Sequence, residues 1–275
     1  MEKLREQLIR DYFKDKEIVD IFDYQRNLSR VGFKLSTDEV LALFPFIKID
    51  DNKLIIISDT HLGSIYDNYK YLDLVYDFAS KYGYKNILHG GDLIQGDIPT
   101  TKEGFENVNM QAIDVISSYP YDKNINNYIL LGNHDCHIYR NMYNSLSILK
   151  TREDLKLLGI RYAYINWYNH LISISHHVKK KKYKFDYPKA ESFINFHGHR
   201  HELHIIESHV FLPTLSDDIK RYNQSPNFPG FLTGEIDGDQ VYLNSYIFED
   251  NTIVDNGLVL QRKSNERVRI KWMDY

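Results

Sequence analysis

Residues 53–63 read KLIIISDTHLG and combine an apolar strand with two side chains of metal-binding type. Residues 54–57 are β-branched or leucine without polar alternation, which is typical of a strand covered on both faces. Side chains alternate along an extended backbone, so we expect Asp59 and His61 to point one way and Thr60 the other. A carboxylate and an imidazole side by side at a strand end are typical ligands of a divalent metal ion.

The same order returns at four further places along the chain. Each time, a short apolar stretch that predicts a strand is followed by residues of a metal-binding type. These strands are 86–89 before Asp92, 128–131 before Asn133, 171–175 before His176, and 192–196 before His199 and His201. Helical spacing predicts helices over 69–82, near 109–118 and over 151–158. Such alternation predicts an α/β layered fold, whose sites form at the carboxyl ends of the strands.

The two ends of the chain differ from this alternation. Residues 1–50 carry apolar residues at helical spacing on a charged background, which predicts three short helices in a separate N-terminal extension. We interpret this extension as a cover of the sheet edge or an oligomer contact, with a winged-helix-like module as the alternative. Residues 51–275 form one domain, in which the strand-rich part after Gly230 completes a second sheet. Its predicted strands are 231–236, 241–247, 253–261 and 268–272.

The composition indicates a soluble globular protein, with 43% hydrophobic and 26% charged residues among 275. The formal net charge of −4 does not indicate a strongly basic nucleic-acid binder. Lys179–Lys182 form one basic block, interpreted as a solvated loop, with phosphate-backbone contact as the alternative. The single cysteine, Cys136, excludes an intrachain disulfide and fits a reducing compartment. With no leader and no membrane-spanning run, we expect a cytoplasmic protein without a membrane partner.

Seven side chains at the predicted strand ends are of types that bind metal ions. They are two carboxylates, one amide and four imidazoles: Asp59, His61, Asp92, Asn133, His176, His199 and His201. Seven ligands are too many for one tetrahedral ion and suit two divalent ions about 3.5–4 Å apart, bridged by a carboxylate and a hydroxide. Nitrogen and oxygen ligands without thiolate fit Mn, Fe, Zn, Co or Ni better than Ca. Such an ion pair activates water for hydrolysis of a phosphate ester.

These residues lie in five short motifs that resemble, in order, those of the calcineurin-like metallophosphoesterases. The motifs are Asp59-Thr60-His61, Gly91-Asp92, Gly132-Asn133-His134-Asp135, His176 and Gly198-His199-Arg200-His201. The resemblance spans about residues 54–201. It implies a β-sandwich of two mixed sheets flanked by helices, with a dinuclear metal centre at one edge.

The resemblance also implies a role for each residue of the motifs. Asp59, His61 and His201 would hold the first metal ion, and Asp92 would bridge both ions. The second ion would be completed by Asn133, His176 and His199, and we expect Mn²⁺ at both positions. Substrate would contact Asn133 and the catalytic residue His134. His134 binds no metal in the family, and it would stabilise the transition state or protonate the leaving oxygen, which contributes about 10²–10⁴-fold.

Two departures from the family pattern affect the site. Many members have a second aspartate three residues after the first in the second motif, and this aspartate orients the general-acid histidine. Gln95 occupies its position, so we expect another group such as Asp97 to orient His134, or His134 to act with a less raised pKa. The fourth motif offers both His176 and His177, and we choose His176 because it follows the strand directly.

Three other residues lie in or near the motifs but are not assigned as ligands. His89 and His197 are interpreted as buried residues of their strands, with a role in supporting the metal ligands as the alternative. Arg200 lies between two ligands and is expected, by alternation, to point away from the metal ions.

We expect a metal-dependent phosphodiesterase whose substrate is a nucleotide or nucleic acid. The alternative is a phosphomonoesterase, including a protein phosphatase. A long substrate needs an open basic groove and a small one needs a cap, and Lys179–Lys182 favour the first slightly. A non-catalytic scaffold that docks through residues 1–50 is a third hypothesis. Such proteins tend to lose ligands, whereas all seven are present here.

Overall fold

The computed structural model describes residues 29–30, 32, 47–97, 100–135, 148–160, 162–176, 192–217 and 228–263. Within these ranges, thirteen strands and two long helices are formed. The helices are α1 (Tyr69–Tyr82) and α2 (Val108–Ser118). The strands are β1 (Ile47–Ile49), β2 (Lys53–Ile57), β3 (Asn86–His89), β4 (Asn126–Leu131), β5 (Leu155–Ile160), β6 (Tyr162–Trp167), β7 (His170–Ser175), β8 (Ile194–His197), β9 (His204–Ile206), β10 (His209–Phe211), β11 (Gly230–Asp237), β12 (Gln240–Glu249) and β13 (Thr252–Lys263).

The strands form two mixed sheets. One sheet has the order β13-β12-β11-β2-β3-β4-β5, in which β2 to β5 are parallel and β11 to β13 are antiparallel. The other has the order β1-β6-β7-β8-β10-β9, with parallel and antiparallel pairs. The predicted sandwich of two mixed sheets is therefore confirmed.

β2 lies at the centre of the hydrophobic packing. Leu54 and Ile56 face the layer between the two sheets, where they join Ile174 and Phe196 of the six-stranded sheet. Ile55 and Ile57 face the opposite side, which is covered by α1 and α2. All four residues of 54–57 are fully buried, which explains why this strand shows no polar alternation.

Helix α1 follows the predicted boundaries. Leu72, Val75, Tyr76 and Ala79 form its buried stripe, and Gly83 ends it in the left-handed conformation at φ 75°. Helix α2 begins one residue earlier than the predicted 109–118, after the N-cap Asn107, whose side chain accepts a hydrogen bond from the Asn109 amide. The predicted strand 86–89 is confirmed without change.

The predicted helix over 151–158 is wrong, because β5 (Leu155–Ile160) occupies this region. The Arg152 guanidinium forms an ion pair with Asp154 at 2.7 Å and donates to the Tyr119 and Pro120 carbonyls after α2. These contacts hold the segment as a turn that leads directly into β5. Tertiary contacts here override a local helix-start signal.

Besides β5, four strands were not predicted: β1, β6, β9 and β10. β1 lies inside the predicted extension 1–50 and pairs in parallel with β6, with Ile47 opposite Ile165. The extension's predicted helices, and the predicted strand 268–272, lie outside the described residues. The division into an extension and one domain stays a prediction. Among the described helices, none is long and apolar enough to cross a lipid bilayer.

Candidate metal centre

The candidate ligands converge at the carboxyl ends of the strands. The loop after β2 carries Asp59 and His61, the loop after β3 carries Asp92, and the loops after β7 and β8 carry His176, His199 and His201. The side chains form three groups, each with ligand atoms within 4.8 Å of one another: Asp59–His61–His201, His61–Asp92–His134 and Asp92–His176–His199. Two of the groups contain Asp92, and His61 also belongs to two.

Left-handed backbone, and not strand alternation, brings these side chains together. Asp59, His61, Asp92, His199 and His201 have φ values of 56°, 46°, 55°, 78° and 57°. They are five of the ten non-glycine residues with positive φ in the described ranges. The expectation of an extended backbone through residues 59–61 is therefore wrong, because β2 ends at Ile57. Such conformations cost about 1–3 kcal/mol each and are typical of functional sites.

Thr60 nevertheless points away from the site, as expected. Its hydroxyl donates to the Leu93 carbonyl at 2.9 Å and lies 3.0 Å from His89 Nε2. His89 Nδ1 accepts from the Gly91 amide at 3.1 Å, so Nε2 carries the proton and donates to Thr60. His89 thus links the loops after β2 and β3 and lies behind the candidate ligands.

The tautomers of two candidate ligands are fixed by carbonyl acceptors. His61 Nδ1 lies 3.0 Å from Gln95 Oε1, and His176 Nδ1 lies 2.7 Å from the Gly90 carbonyl. A carbonyl oxygen only accepts, so both Nδ1 atoms carry protons, and in the neutral form of each ring the lone pair lies on Nε2. His61 Nε2 and His201 Nε2 face each other at 3.3 Å. Partners of this kind hold metal-binding histidines in the productive tautomer.

His134 is oriented by a group that we did not predict. Its Nδ1 donates to the backbone carbonyl of Gln95 at 2.8 Å, where we expected a group such as Asp97. This hydrogen bond turns Nε2 toward the candidate ligands, 3.9 Å from Asp92 Oδ2. The departure at Gln95 could be seen in the sequence, but its backbone contact could not.

Asp59 and Asp92 are ionised in this setting. Burial raises the pKa of Asp59, but the nearby charges of His201 and His176 lower it further, so the net pKa lies well below the usual range. Asp92 shows the same balance, with His176 as the main cause of the lowered pKa. Burial lowers the pKa of His176, whereas Asp92 and Asp59 raise it to about 9. The buried carboxylates therefore attract positive charge into this pocket.

One buried atom tests whether the site fits a metal ion. Asn133 Oδ1 has no hydrogen-bond partner among the described residues, whereas His176 Nε2 is paired with the Asp92 carboxylate at 2.9 Å. An unpartnered buried polar atom costs about 1–3 kcal/mol, which coordination of Asn133 Oδ1 to an ion would remove. Oxygen and imidazole donors without thiolate fit a divalent ion.

Hydrogen bonds to backbone amides hold the two carboxylates in place. Both oxygens of Asp59 lie within 3.2 Å of the His199 amide, which donates to them, and Ser58 Oγ also donates to Asp59. Asp92 Oδ1 accepts from the His134 amide at 2.8 Å, which leaves Oδ2 for the imidazoles. A Cβ at Gly132 would lie 2.2 Å from Asp92 Oδ1. This close approach explains the glycine before Asn133.

Asp135 connects the loops after β3 and β4, a role that sequence reasoning missed. Its carboxylate is fully buried and accepts from the amides of Leu93, Ile94 and Gly132 at 2.7–3.1 Å. Burial, followed by the charge of Asp92, raises the pKa of Asp135 to about 6. Its position directly after Asn133 and His134 was the only signal in the sequence.

Other candidates from the sequence lie beside the site or outside the described part. Arg200 stacks on the Phe211 ring, with its guanidinium carbon 4.5 Å from the ring centroid. It is therefore turned to Phe211, although its backbone is not the extended one that we assumed. His197 is buried and contacts Ser175 Oγ at 2.7 Å and His209 at 2.8 Å. His177, Cys136 and Lys179–Lys182 lie outside the described residues.

Two mixed sheets with buried groups of Asp and His at strand carboxyl ends define the metallophosphoesterase class of fold. A family model for calcineurin-like phosphoesterases matches residues 53–248. The chain belongs to the calcineurin-like phosphoesterase family, as the resemblance of its five motifs implied. The family and the buried donor groups together fit binding of a divalent metal ion.

Several solved structures are similar to this chain at low identity. Vps29 from Cryptosporidium parvum is 15% identical, with 77% of this chain and 98% of that chain covered and a TM-score of 0.46. An archaeal phosphodiesterase is 14% identical, with 70% and 99% covered and a TM-score of 0.44. The Pseudomonas putida nuclease MPE is 13% identical, with 71% and 90% covered and a TM-score of 0.36. No curated protein matches the chain. Similarities of this size do not identify a shared function.

Proposed function

We propose that the chain hydrolyses a phosphodiester with two divalent metal ions, in a nucleotide or nucleic acid. The observation that carries the proposal is the central position of Asp92. Its Oδ2 lies 2.9 Å from His176 Nε2 on one side and 3.9 Å from His61 Nε2 on the other. One carboxylate between two sets of donors is the arrangement that a bridged ion pair requires.

We assign the candidate ligands to two sets around Asp92. Asp59, His61 and His201 would hold one ion, and Asn133, His176 and His199 would hold the other. When bound, two divalent ions supply Lewis-acid stabilisation of the charge that develops in phosphoryl transfer. The chain's own contribution is to hold His61 and His176 with Nδ1 protonated and both carboxylates in place through hydrogen bonds, so that little reorganisation is needed.

His134 and Asn133 would act on the substrate. His134 Nδ1 is held by the Gln95 carbonyl, so its Nε2 is the atom that would carry a proton to the leaving oxygen or donate to a phosphoryl oxygen. Asn133 has a buried Oδ1 without a partner among the described residues. If that oxygen binds an ion, the amide nitrogen remains as a donor for a phosphate oxygen.

The preference for a diester rests on the sequence. Lys179–Lys182 begin three residues after His176, and a basic segment beside the site would contact the phosphates that flank the cleaved bond. A phosphomonoester needs no such flanking contact. The basic block therefore favours a diester in a longer chain over a monoester.

The test is a rate comparison with the full chain. Metal-stripped protein is loaded with Mn²⁺ and assayed on bis-p-nitrophenyl phosphate, p-nitrophenyl phosphate, and single- and double-stranded DNA. We expect hydrolysis of the diesters that chelation abolishes and Mn²⁺ restores. Faster hydrolysis of the monoester would assign the chain to the phosphomonoesterases, and absence of hydrolysis with Mn²⁺ bound would favour a scaffold.

A matched pair of variants links the rate to the site. Asn133→Ala removes a candidate ligand, whereas Asn124→Ala changes an exposed asparagine that contacts Asp122. We expect Asn133→Ala to lower kcat at least about 10²-fold, in the range typical of a catalytic group, and Asn124→Ala to leave it unchanged. Equal rates for both variants would contradict the assignment of the site.

A further inference from the structure

Gln95 contacts two histidines of the candidate site, His61 and His134. Its side chain is buried, and Oε1 accepts from His61 Nδ1 at 3.0 Å. Its backbone carbonyl accepts from His134 Nδ1 at 2.8 Å. The rings of His61 and His134 are in edge-to-face contact, with centroids 4.6 Å apart. One residue thus contacts a candidate metal ligand and the candidate acid through different atoms.

The side-chain amide lies with its oxygen toward His61. On its other side, Gln95 Nε2 donates to Thr100 Oγ1 at 2.5 Å. In the opposite orientation, the NH₂ group would face His61 Nδ1 and favour the tautomer with the proton on Nε2. That tautomer has no lone pair on the nitrogen that faces His201. The amide therefore selects the tautomer of His61 that is able to bind a metal ion.

The backbone carbonyl is held independently of the side chain. The Gln95 carbonyl and the Gly96 amide belong to the same peptide unit. The Gly96 amide donates to Gln111 Oε1 at 2.8 Å, and Gln111 Nε2 donates back to the Gly96 carbonyl at 2.9 Å. Gln111 lies on α2 and is fully buried. This paired contact fixes the peptide plane, so the Gln95 carbonyl stays directed at His134.

A neutral acceptor at this position avoids a third buried charge. Asp59 and Asp92 are already buried carboxylates within reach of His61, at 3.8 and 3.9 Å from its Nε2. A further carboxylate would add repulsion and desolvation. The amide orients His61 without that cost.

We propose that Gln95 is a positioning residue that orients His61 through its side chain and His134 through its backbone carbonyl. This inference rests on the proposed function, since it assigns His61 to a metal ion and His134 to the substrate. In this assignment the Gln95 side chain and the Gln95 backbone carbonyl have separate effects. Loss of the side chain affects metal binding, and loss of the peptide orientation affects turnover.

The first test changes the side chain. Mn²⁺ binding to metal-stripped protein is measured by calorimetry for the wild type, Gln95→Leu and Gln95→Glu, with Gln261→Leu on exposed β13 as control. We expect Gln95→Leu to weaken one Mn²⁺ site about 10–100-fold and to change kcat at saturating Mn²⁺ less than the affinity. Gln95→Glu keeps an oxygen acceptor for His61 Nδ1, so we expect Mn²⁺ binding within about tenfold of the wild type, with the remaining loss caused by the added buried charge.

The second test changes the peptide clamp. Gln111→Met removes both hydrogen bonds to Gly96, and we expect a fall in kcat of about tenfold at saturating Mn²⁺, with a smaller change in Mn²⁺ affinity than Gln95→Leu gives. Circular dichroism confirms folding of each variant. If Gln95→Leu fails to fold, Gln95→Met removes the carbonyl acceptor with a side chain of similar length and answers the same question.

The outcomes distinguish the inference from the proposed function. A wild type that binds no Mn²⁺ overturns the proposed function and the inference with it. A wild type that binds Mn²⁺, with Gln95→Leu binding equally well, overturns the inference alone. An unchanged kcat in Gln111→Met overturns the part of the inference in which the Gln95 carbonyl orients His134.

Discussion

Five candidate ligands hold a left-handed backbone conformation that most residues avoid. His199 is the clearest case, because its φ is 78° and its side chain is exposed, so little packing accompanies it. Its main-chain amide, and not its side chain, donates to Asp59. The contact with Asp59 does not depend on the imidazole, so glycine at this position would keep it while removing the backbone strain.

Because of this strain, we expect replacement of His199 to stabilise the metal-free fold while it weakens metal binding. We expect His199→Gly to raise the unfolding free energy of the metal-free protein by about 1 kcal/mol, because glycine adopts positive φ without the steric penalty. The same change should weaken Mn²⁺ binding, since an imidazole is lost. Urea unfolding with chelator and calorimetry with Mn²⁺ measure the two effects.

His204→Gly is the matched control for this change. His204 is also exposed but lies in strand β9, where glycine destabilises. A lower stability for His199→Gly than for the wild type would contradict the argument from strain.

The contacts of the Arg152 side chain decide that the segment before β5 is a turn and not a helix. Its guanidinium closes the end of α2 by donating to the carbonyls of Ile116, Tyr119 and Pro120, and it forms an ion pair with Asp154. Both charged side chains are largely shielded from water. The segment before β5 is thereby fixed as a turn.

We expect Arg152→Met to lower the unfolding free energy by about 2–4 kcal/mol. The change leaves Asp154 without its cation and several carbonyls without a donor. Lys156→Met removes the same charge from an exposed side chain of β5 and should stay within about 0.5 kcal/mol of the wild type. Denaturant unfolding compares the two, and equal stabilities would show that Arg152 is not the organising contact.

Elements with a clear local pattern could be predicted, and elements set by distant contacts could not. The run 54–57, α1 and the strand 86–89 were correctly predicted because burial on both faces or a helical stripe marks them. The segment 151–158 resembles a helix in sequence, whereas the contacts of Arg152 make it a turn that leads into β5. The short strand β10 depends on pairing with β8, and β9 depends on pairing with β10, rather than on their own sequences.

The ligand residues could be predicted from their position after strands, but the way they meet could not. Asp59 and His61 were expected to align by alternation, whereas positive φ angles bring them together. Gln95 was recognised as a departure, but its two contacts depend on Gln111 and Thr100 from other parts of the chain. Contacts of this kind leave no periodic signal in a sequence.

At the scale of the molecule, several buried imidazoles make stability depend on pH. Burial is the main cause of lowered pKa values in four of them: His61 to about 3, His89 and His209 to about 4, and His197 well below 6.5. At these four positions, the unfolded chain therefore binds more protons than the folded one below pH 6.5. The stability that these four contribute is full above that pH and is lost as the pH falls.

We expect the metal-free protein to be less stable at pH 5 than at pH 7. Between pH 7 and pH 5, each of these four imidazoles lowers the unfolding free energy by about 2 kcal/mol. The raised pKa values of Asp135 and His176 act in the opposite direction, but they are only two groups. Urea unfolding with chelator measures the dependence. His89→Gln should reduce its slope, and stability that rises toward pH 5 would contradict the prediction.

The pairing of β1 with β6 determines where the chain is safely shortened. A protein that starts at residue 51 would lack Ile47–Ile49 and would leave β6 with a row of bare amides and carbonyls along the outside of its sheet. We expect that version to self-associate, whereas one that starts at residue 46 stays monodisperse in light scattering. Identical light scattering by the two proteins would mean that strand β1 does not prevent aggregation. The expected difference would mean that β1 prevents neighbouring molecules from pairing with β6.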